Sequence, residues 1–272
     1  MNEVPARRAA NFSASFSLDE GACAEYIGSM WPPFFKSTSL ATATQATEGM
    51  WRWLPSRCAI CQDWPNGPLC EACISRFAQP HQRCSGCALP LNTNARRCPN
   101  CIACPPPLDL CLAAVPYAWP WVDLIARFKF QQQAGWSGAL ATLMLSTPWA
   151  EDTMERADLV LPIPLSPQRL AQRGYNQSWQ LAKRLSPDKA DADLLLRTRD
   201  TPSQRHLPRT ERLTNLLGAF AVEPMRAATL RGKRVVLVDD VMTSGASLYT
   251  AAKTLRQAGA THISGLVLAR TE

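Results

Sequence analysis

At 272 residues, with 46% hydrophobic side chains and a formal charge of +7, the chain is long and apolar enough for one α/β domain plus a smaller module. That composition excludes a fibre and a wholly disordered protein. No run of about 18 uncharged apolar residues occurs, and no basic stretch followed by an apolar one opens the chain, so neither a membrane span nor a signal peptide is expected, and the expected location is cytoplasmic.

Residues 1–49 are rich in Ala, Ser and Thr without a period and read as a disordered extension. The patterned chain begins within a few residues of Met50, which is the expected true translation start. Residues 50–107 form a first module that ends in the stiff run Pro105-Pro106-Pro107, the expected domain boundary. Eight of its cysteines fall in four C-x2-C pairs: Cys58/Cys61, Cys70/Cys73, Cys84/Cys87 and Cys98/Cys101. One such turn presents two thiolates to a tetrahedral ion at about 2.3 Å, so two turns close a four-cysteine site and four turns predict two structural zinc ions. A closed site leaves no open position for catalysis by the metal. Disulfides are the competing account, disfavoured in a reducing compartment, and iron–sulfur ligation is a minor alternative. Spacing leaves open whether consecutive or alternate pairs share an ion, with Cys104 as a spare candidate ligand. Cys111 reads as a small buried hydrophobe.

Residues 108–272 alternate strand and helix patterns. A strand is expected over 112–117, helices over 121–130 and 136–145, and a short buried strand from Leu159 that ends in Pro162-Ile163-Pro164. An amphipathic helix follows over 175–185, then a strand over 234–238, a helix over 247–258 stopped by Gly259, and a last strand over 263–269. Such alternation predicts a parallel sheet with crossover helices. Residues 163–234 hold fourteen lysines and arginines against six acids, a cluster that attracts phosphates of a small ligand or of nucleic acid.

The most informative stretch is Val235-Val236-Leu237-Val238-Asp239-Asp240-Val241-Met242-Thr243-Ser244-Gly245-Ala246-Ser247. Its strand delivers Asp239 and Asp240 to the carboxyl edge of a parallel sheet, where a carboxylate pair can receive two ribose hydroxyls. The turn that follows, Thr243, Ser244, Gly245, Ala246 and Ser247, offers backbone N–H groups, three hydroxyls and a helix N-terminus, which together suit a dianionic phosphate. Gly245 allows close backbone approach.

This segment resembles the diphosphoribose motif of the type I phosphoribosyltransferases, in which an apolar strand leads to Asp-Asp and a Thr-Thr-Gly-x-Thr-like loop; Ser244 and Ser247 replace threonines and keep the hydroxyls. The resemblance implies a type I phosphoribosyltransferase-like sheet flanked by helices. It puts Asp239 and Asp240 at the ribose hydroxyls, Thr243 to Ser247 around the 5-phosphate of phosphoribosyl pyrophosphate, and magnesium with that ligand. It narrows to the ComF family over residues 50–271, on the cysteine ribbon, Pro162-Ile163-Pro164-Leu165, Arg173-Gly174-Tyr175-Asn176-Gln177, the Thr201, Gln204 and Leu207 pattern, Arg212 with Asn215, and Ala219-Phe220. Tyr175 stands where phenylalanine is more usual. Arg173 and the segment 204–212 are then the pyrophosphate contacts, a guanidinium being able to fork two oxygens and offset leaving-group charge. The implied activity is pentosyl transfer to an acceptor with no signal of its own. The family's link to natural transformation implies an alternative: a non-enzymatic factor binding single-stranded DNA across residues 169–234, with Trp179 or tryptophans of the ribbon stacking on bases, DNA-uptake proteins as partners, and the phosphoribosyl site regulatory or vestigial.

Overall fold

The structure, a computed structural model, describes residues 56–64, 66–199 and 218–272. The expectations for residues 1–49, for Met50, for the 201–215 pattern and for Arg205, Arg209 and Arg212 lie outside the described residues.

Two short helices, α1 (Glu71–Phe77) and α2 (Pro99–Ala103), belong to the cysteine-rich region. The chain then runs β1 (Leu110–Pro116), α3 (Trp121–Phe130), α4 (Ser137–Leu145), α5 (Ala150–Glu155), β2 (Leu159–Pro162), α6 (Pro167–Arg173), α7 (Gln177–Leu185), β3 (Leu195–Arg197), β4 (Phe220–Val222), β5 (Arg234–Met242), α8 (Ala246–Gln257) and β6 (His262–Arg270). Four strands make one sheet in the order β1-β6-β5-β2, parallel throughout, while β3 and β4 form a separate antiparallel pair.

A parallel sheet covered on both faces needs nearly continuous apolar strands, as Val235 to Val238 supply. Alternation then sends Val236 and Val238 to the face covered by α3, α4 and α7, and Val235 and Leu237 to the face covered by α8. On α3 the buried residues Trp121, Leu124, Ile125 and Phe128 repeat at helical spacing and form one stripe. Asn176 starts α7 by accepting the N–H groups of Ser178 and Trp179.

Of the boundaries that differ from expectation, two have identifiable reasons. Strand β5 continues past Val238 to Met242 because β6 extends equally far, pairing Val241 with Ala269 and Met242 with Arg270. The helix expected over 175–185 begins at Gln177, since Gly174 at φ 78° ends a separate helix, α6, just before it. Helices α5 and α6 and the three-residue strands β3 and β4 are too short to show a period. Among the described residues no helix is long and apolar enough to cross a membrane.

Candidate functional site

The eight C-x2-C thiols gather into two groups from consecutive pairs: Cys58, Cys61, Cys70 and Cys73 in one, and Cys84, Cys87, Cys98 and Cys101 in the other, with all sulfurs of a group within 4.8 Å of one another. A tetrahedron with bonds of about 2.3 Å has edges of about 3.8 Å. The Cys61 to Cys70 and Cys87 to Cys98 sulfur separations, 3.6 and 3.7 Å, match that edge, so both groups fit a zinc ion. Backbone N–H groups point at the sulfurs, from Cys70 to Cys58 at 3.4 Å and from Cys98 to Cys84 at 3.2 Å. Burial opposes ionisation of Cys58, but the N–H groups of Cys61, Cys70 and Ile60 outweigh it and bring that thiol down to about 6. The same balance, through the N–H groups of Cys98, Gly86 and Cys87, brings Cys84 down to about 7. Cys104 is exposed and outside both groups, and Cys111 is buried.

Asp239 and Asp240 lie in the C-terminal part of β5, beyond the end of β2, whose Pro162 pairs with Val238. Being adjacent in a strand, they diverge. Asp240, 6% exposed, meets Lys129 at the end of α3, with Nζ 2.9 Å from Oδ1. Asp239, half-buried, lines a small hollow with Thr243, Ser244, Gly245, Ala246 and Ser247. Its Oδ1 accepts from the Ser178 hydroxyl and from the Asp240 N–H, both at 2.9 Å. Burial, and next the neighbouring Asp240 charge, push the Asp239 carboxyl up to about 7, against the pull of Lys129 and Ser178.

The loop turns sharply from β5 into α8. Gly245 stands at φ 81°, and a Cβ there would lie 2.6 Å from Cε of Met242 and 2.7 Å from the Tyr249 ring, so only glycine fits. Thr243 is exposed, while Ser244 is buried and its Oγ accepts the Ala246 N–H at 3.4 Å.

Arg173 ends α6, with its guanidinium 5.4 Å from the Phe130 ring centroid and Nη1 donating to Gln177 at 2.9 Å. The rest of its motif ties α7 to the end of α3: the Tyr175 hydroxyl donates to the Phe128 carbonyl, and Gln177 donates to the Lys129 carbonyl at 3.3 Å. Asn176 also donates to Ile163 at 3.1 Å, past the end of β2. These contacts place Lys129 beside the acidic pair. Lys129 carries no motif signal; its one mark in sequence is a lone charge between Phe128 and Phe130. Ser178 and the buried Arg270 were equally silent. Of the basic residues in 163–234, Arg226 is ion-paired with Asp191, and Lys233 lies 3.5 Å from Asp158. Trp179 is half-buried against the core, with Lys183 Nζ 6.0 Å from its ring centroid.

Residues 175–271 match the phosphoribosyl transferase domain family. The chain is 31% identical over 209 residues to the DNA utilization protein YhgH of Escherichia coli (strain K12), covering 75% of this chain and 90% of that one. It is 33% identical over 210 residues to competence protein F of Haemophilus influenzae, covering 74% and 90%. It is 30% identical over 150 residues to competence protein ComFC of Bacillus subtilis, covering 55% and 59%. With two four-cysteine clusters ahead of a phosphoribosyltransferase sheet, and relatives matched over nine-tenths of their length, this chain belongs to the ComF family.

Proposed function

We propose that this protein binds phosphoribosyl pyrophosphate, or a related 5-phosphoribosyl ligand, in the hollow between the end of β5 and the start of α8, and that the site serves the uptake or use of external DNA. One observation carries the reading: a carboxylate, Asp239, and the loop Thr243 to Ser247 share a single small hollow at the carboxyl edge of a parallel sheet. The N–H groups and dipole of α8 suit the 5-phosphate, and Asp239 suits the ribose hydroxyls. Asp240 completes the pair from the other face, its charge balanced by Lys129.

Arg173, oriented by Gln177 and Phe130, has donors to spare for the pyrophosphate. A magnesium ion bound with that ligand would neutralise charge on the leaving pyrophosphate. Oδ2 of Asp239, which has no protein hydrogen bond among the described residues, is a fitting oxygen donor to it. The reaction class supported is pentosyl transfer.

The DNA link rests on the relatives named for DNA utilization and competence, and on the excess of basic residues over 163–234. Single-stranded DNA is the second ligand class, with Trp179 as the candidate stacking residue.

Calorimetric titration of phosphoribosyl pyrophosphate with Mg2+ into the wild type and an Asp239→Asn variant tests the site. Micromolar binding that the variant loses is the expected result, to be followed by a screen of acceptors for pyrophosphate release. Absence of heat in both proteins, with zinc bound, would discard the phosphoribosyl reading. The steep salt dependence of single-strand binding would then be the property to measure.

A further inference from the structure

The second cysteine cluster lies directly behind the phosphate loop, joined to it by two routes. The first is Arg270, the last residue of β6, only 3% exposed. Its Nε donates to the Cys87 carbonyl at 2.8 Å, and its Nη1, whose two hydrogens are shared with the Thr271 carbonyl and hydroxyl, lies 3.1 Å from the Met242 carbonyl and 2.5 Å from the Thr243 carbonyl. One planar guanidinium therefore spans from a C-x2-C turn to the first residue of the loop. The second route is Tyr249 on α8: its hydroxyl reaches the Gly86 carbonyl at 3.5 Å, and its ring fills the space where a Gly245 Cβ would stand. Gly86 is itself wedged against the cluster, since a Cβ there would lie 3.2 Å from Cys101 Sγ.

Both routes start on the Cys84 to Cys87 turn, whose shape a bound ion would set. Both end on Thr243 or Gly245. Arginine suits the first route because its donors form a rigid fork, whereas a lysine ammonium is a point charge on a flexible stem. Arg270 also makes no ion pair among the described residues, so its charge adds to the α8 dipole in drawing an anion to the loop. Among the described residues the first cluster has no such connection: it meets the rest of the fold through the Trp121 indole N–H, which donates to the Phe77 carbonyl at 3.1 Å, through the Phe77 to Trp119 ring contact and through apolar packing.

We propose that Arg270 is a positioning residue that couples the second metal cluster to the 5-phosphate loop, so that phosphate affinity depends on the metal held by Cys84, Cys87, Cys98 and Cys101 and not on the metal at the first cluster. This rests on the phosphate reading of the loop.

Protein loaded with cadmium in place of zinc gives one cadmium NMR resonance per cluster, and loss of one resonance in Cys61→Ser assigns the pair. Ribose 5-phosphate titrated into the wild type should move the second-cluster resonance and leave the first in place. Arg270→Lys should bind about tenfold more weakly, the equivalent of one charge-assisted hydrogen bond, and lose the shift while both free resonances keep their positions. Should that variant fail to load cadmium, the wild-type shift alone decides. Wild-type binding that moves neither resonance, or both alike, overturns the coupling and leaves the phosphate site standing, as does full affinity in Arg270→Lys. A wild type that binds no ribose 5-phosphate overturns the phosphate site and the coupling together.

Discussion

The two cysteine clusters have the same ligands and the same pair of C-x2-C turns, yet they sit differently in the molecule. All four thiols of the second are buried, and they belong to the same apolar cluster as Met242, Ala246 and Leu248 under the loop 243–247. The first keeps Cys61 exposed and packs mainly with Ile60 and Phe77; it meets the sheet domain at Trp121, the start of α3, whose far end carries Lys129. One cluster therefore stands behind the Asp239 hollow directly, whereas the other packs on the opposite side of the sheet and meets the start of the helix whose far end carries Lys129. The same metal held in both clusters would then have unequal consequences, because a metal stabilises whatever is packed on it.

The comparison is broken most decisively by removing one ligand at a time. Cys101→Ser is expected to cost more than about 5 kcal/mol of global stability, since folding and metal binding are one event at a closed site. Cys61→Ser should release one zinc yet leave the main unfolding transition close to wild type. Zinc release and scanning calorimetry check both, and equal losses would erase the distinction.

Lys129→Met probes the α3 side. It strands the buried Asp240 carboxylate, at an expected cost of about 3–5 kcal/mol by denaturant unfolding, and a second change, Asp240→Asn, should recover much of it. Gly245→Ala probes the loop side. Strain at φ 81° and the collision with Met242 and Tyr249 should cost about 1–3 kcal/mol and abolish ribose 5-phosphate binding.

One further effect is graded with pH rather than fixed. Because burial and Asp240 hold the Asp239 carboxyl up at about 7, the folded protein keeps a proton that the unfolded chain has released. The contribution of this group to stability therefore falls as pH rises from about 4 to 7. Ligand binding through the ionised carboxylate runs the opposite way, strengthening about tenfold per pH unit below 7 and levelling above it. In Asp239→Asn the stability dependence should flatten, as denaturant unfolding at several pH values would report, while titration calorimetry of the wild type over the same range reports the binding dependence.

Much of this protein was legible in its residues because the relevant signals are local. Four C-x2-C pairs specify four-cysteine chemistry whatever surrounds them, and Trp121–Phe130 declares itself by a buried stripe at helical spacing. The run from Val235 to Ser247 places two carboxylates before a glycine-bearing turn, and the chain folds accordingly. What stayed hidden depends on segments far apart in sequence. Which pairs share an ion was undecidable from spacing, because consecutive and alternate pairing satisfy it equally. That β5 runs on through both carboxylates was set by the length of β6, its ladder partner. The division of labour between Asp239 and Asp240 was hidden too, because it requires Lys129 and Ser178 to arrive from other elements. Local spacing thus determined the groups this chain carries, namely thiol clusters, an acidic strand end and a glycine-bearing turn that opens a helix. Tertiary packing alone decided which cluster stands behind that turn and which carboxylate faces the hollow, because a buried lysine or arginine shows its partner only once the chain has brought the two together.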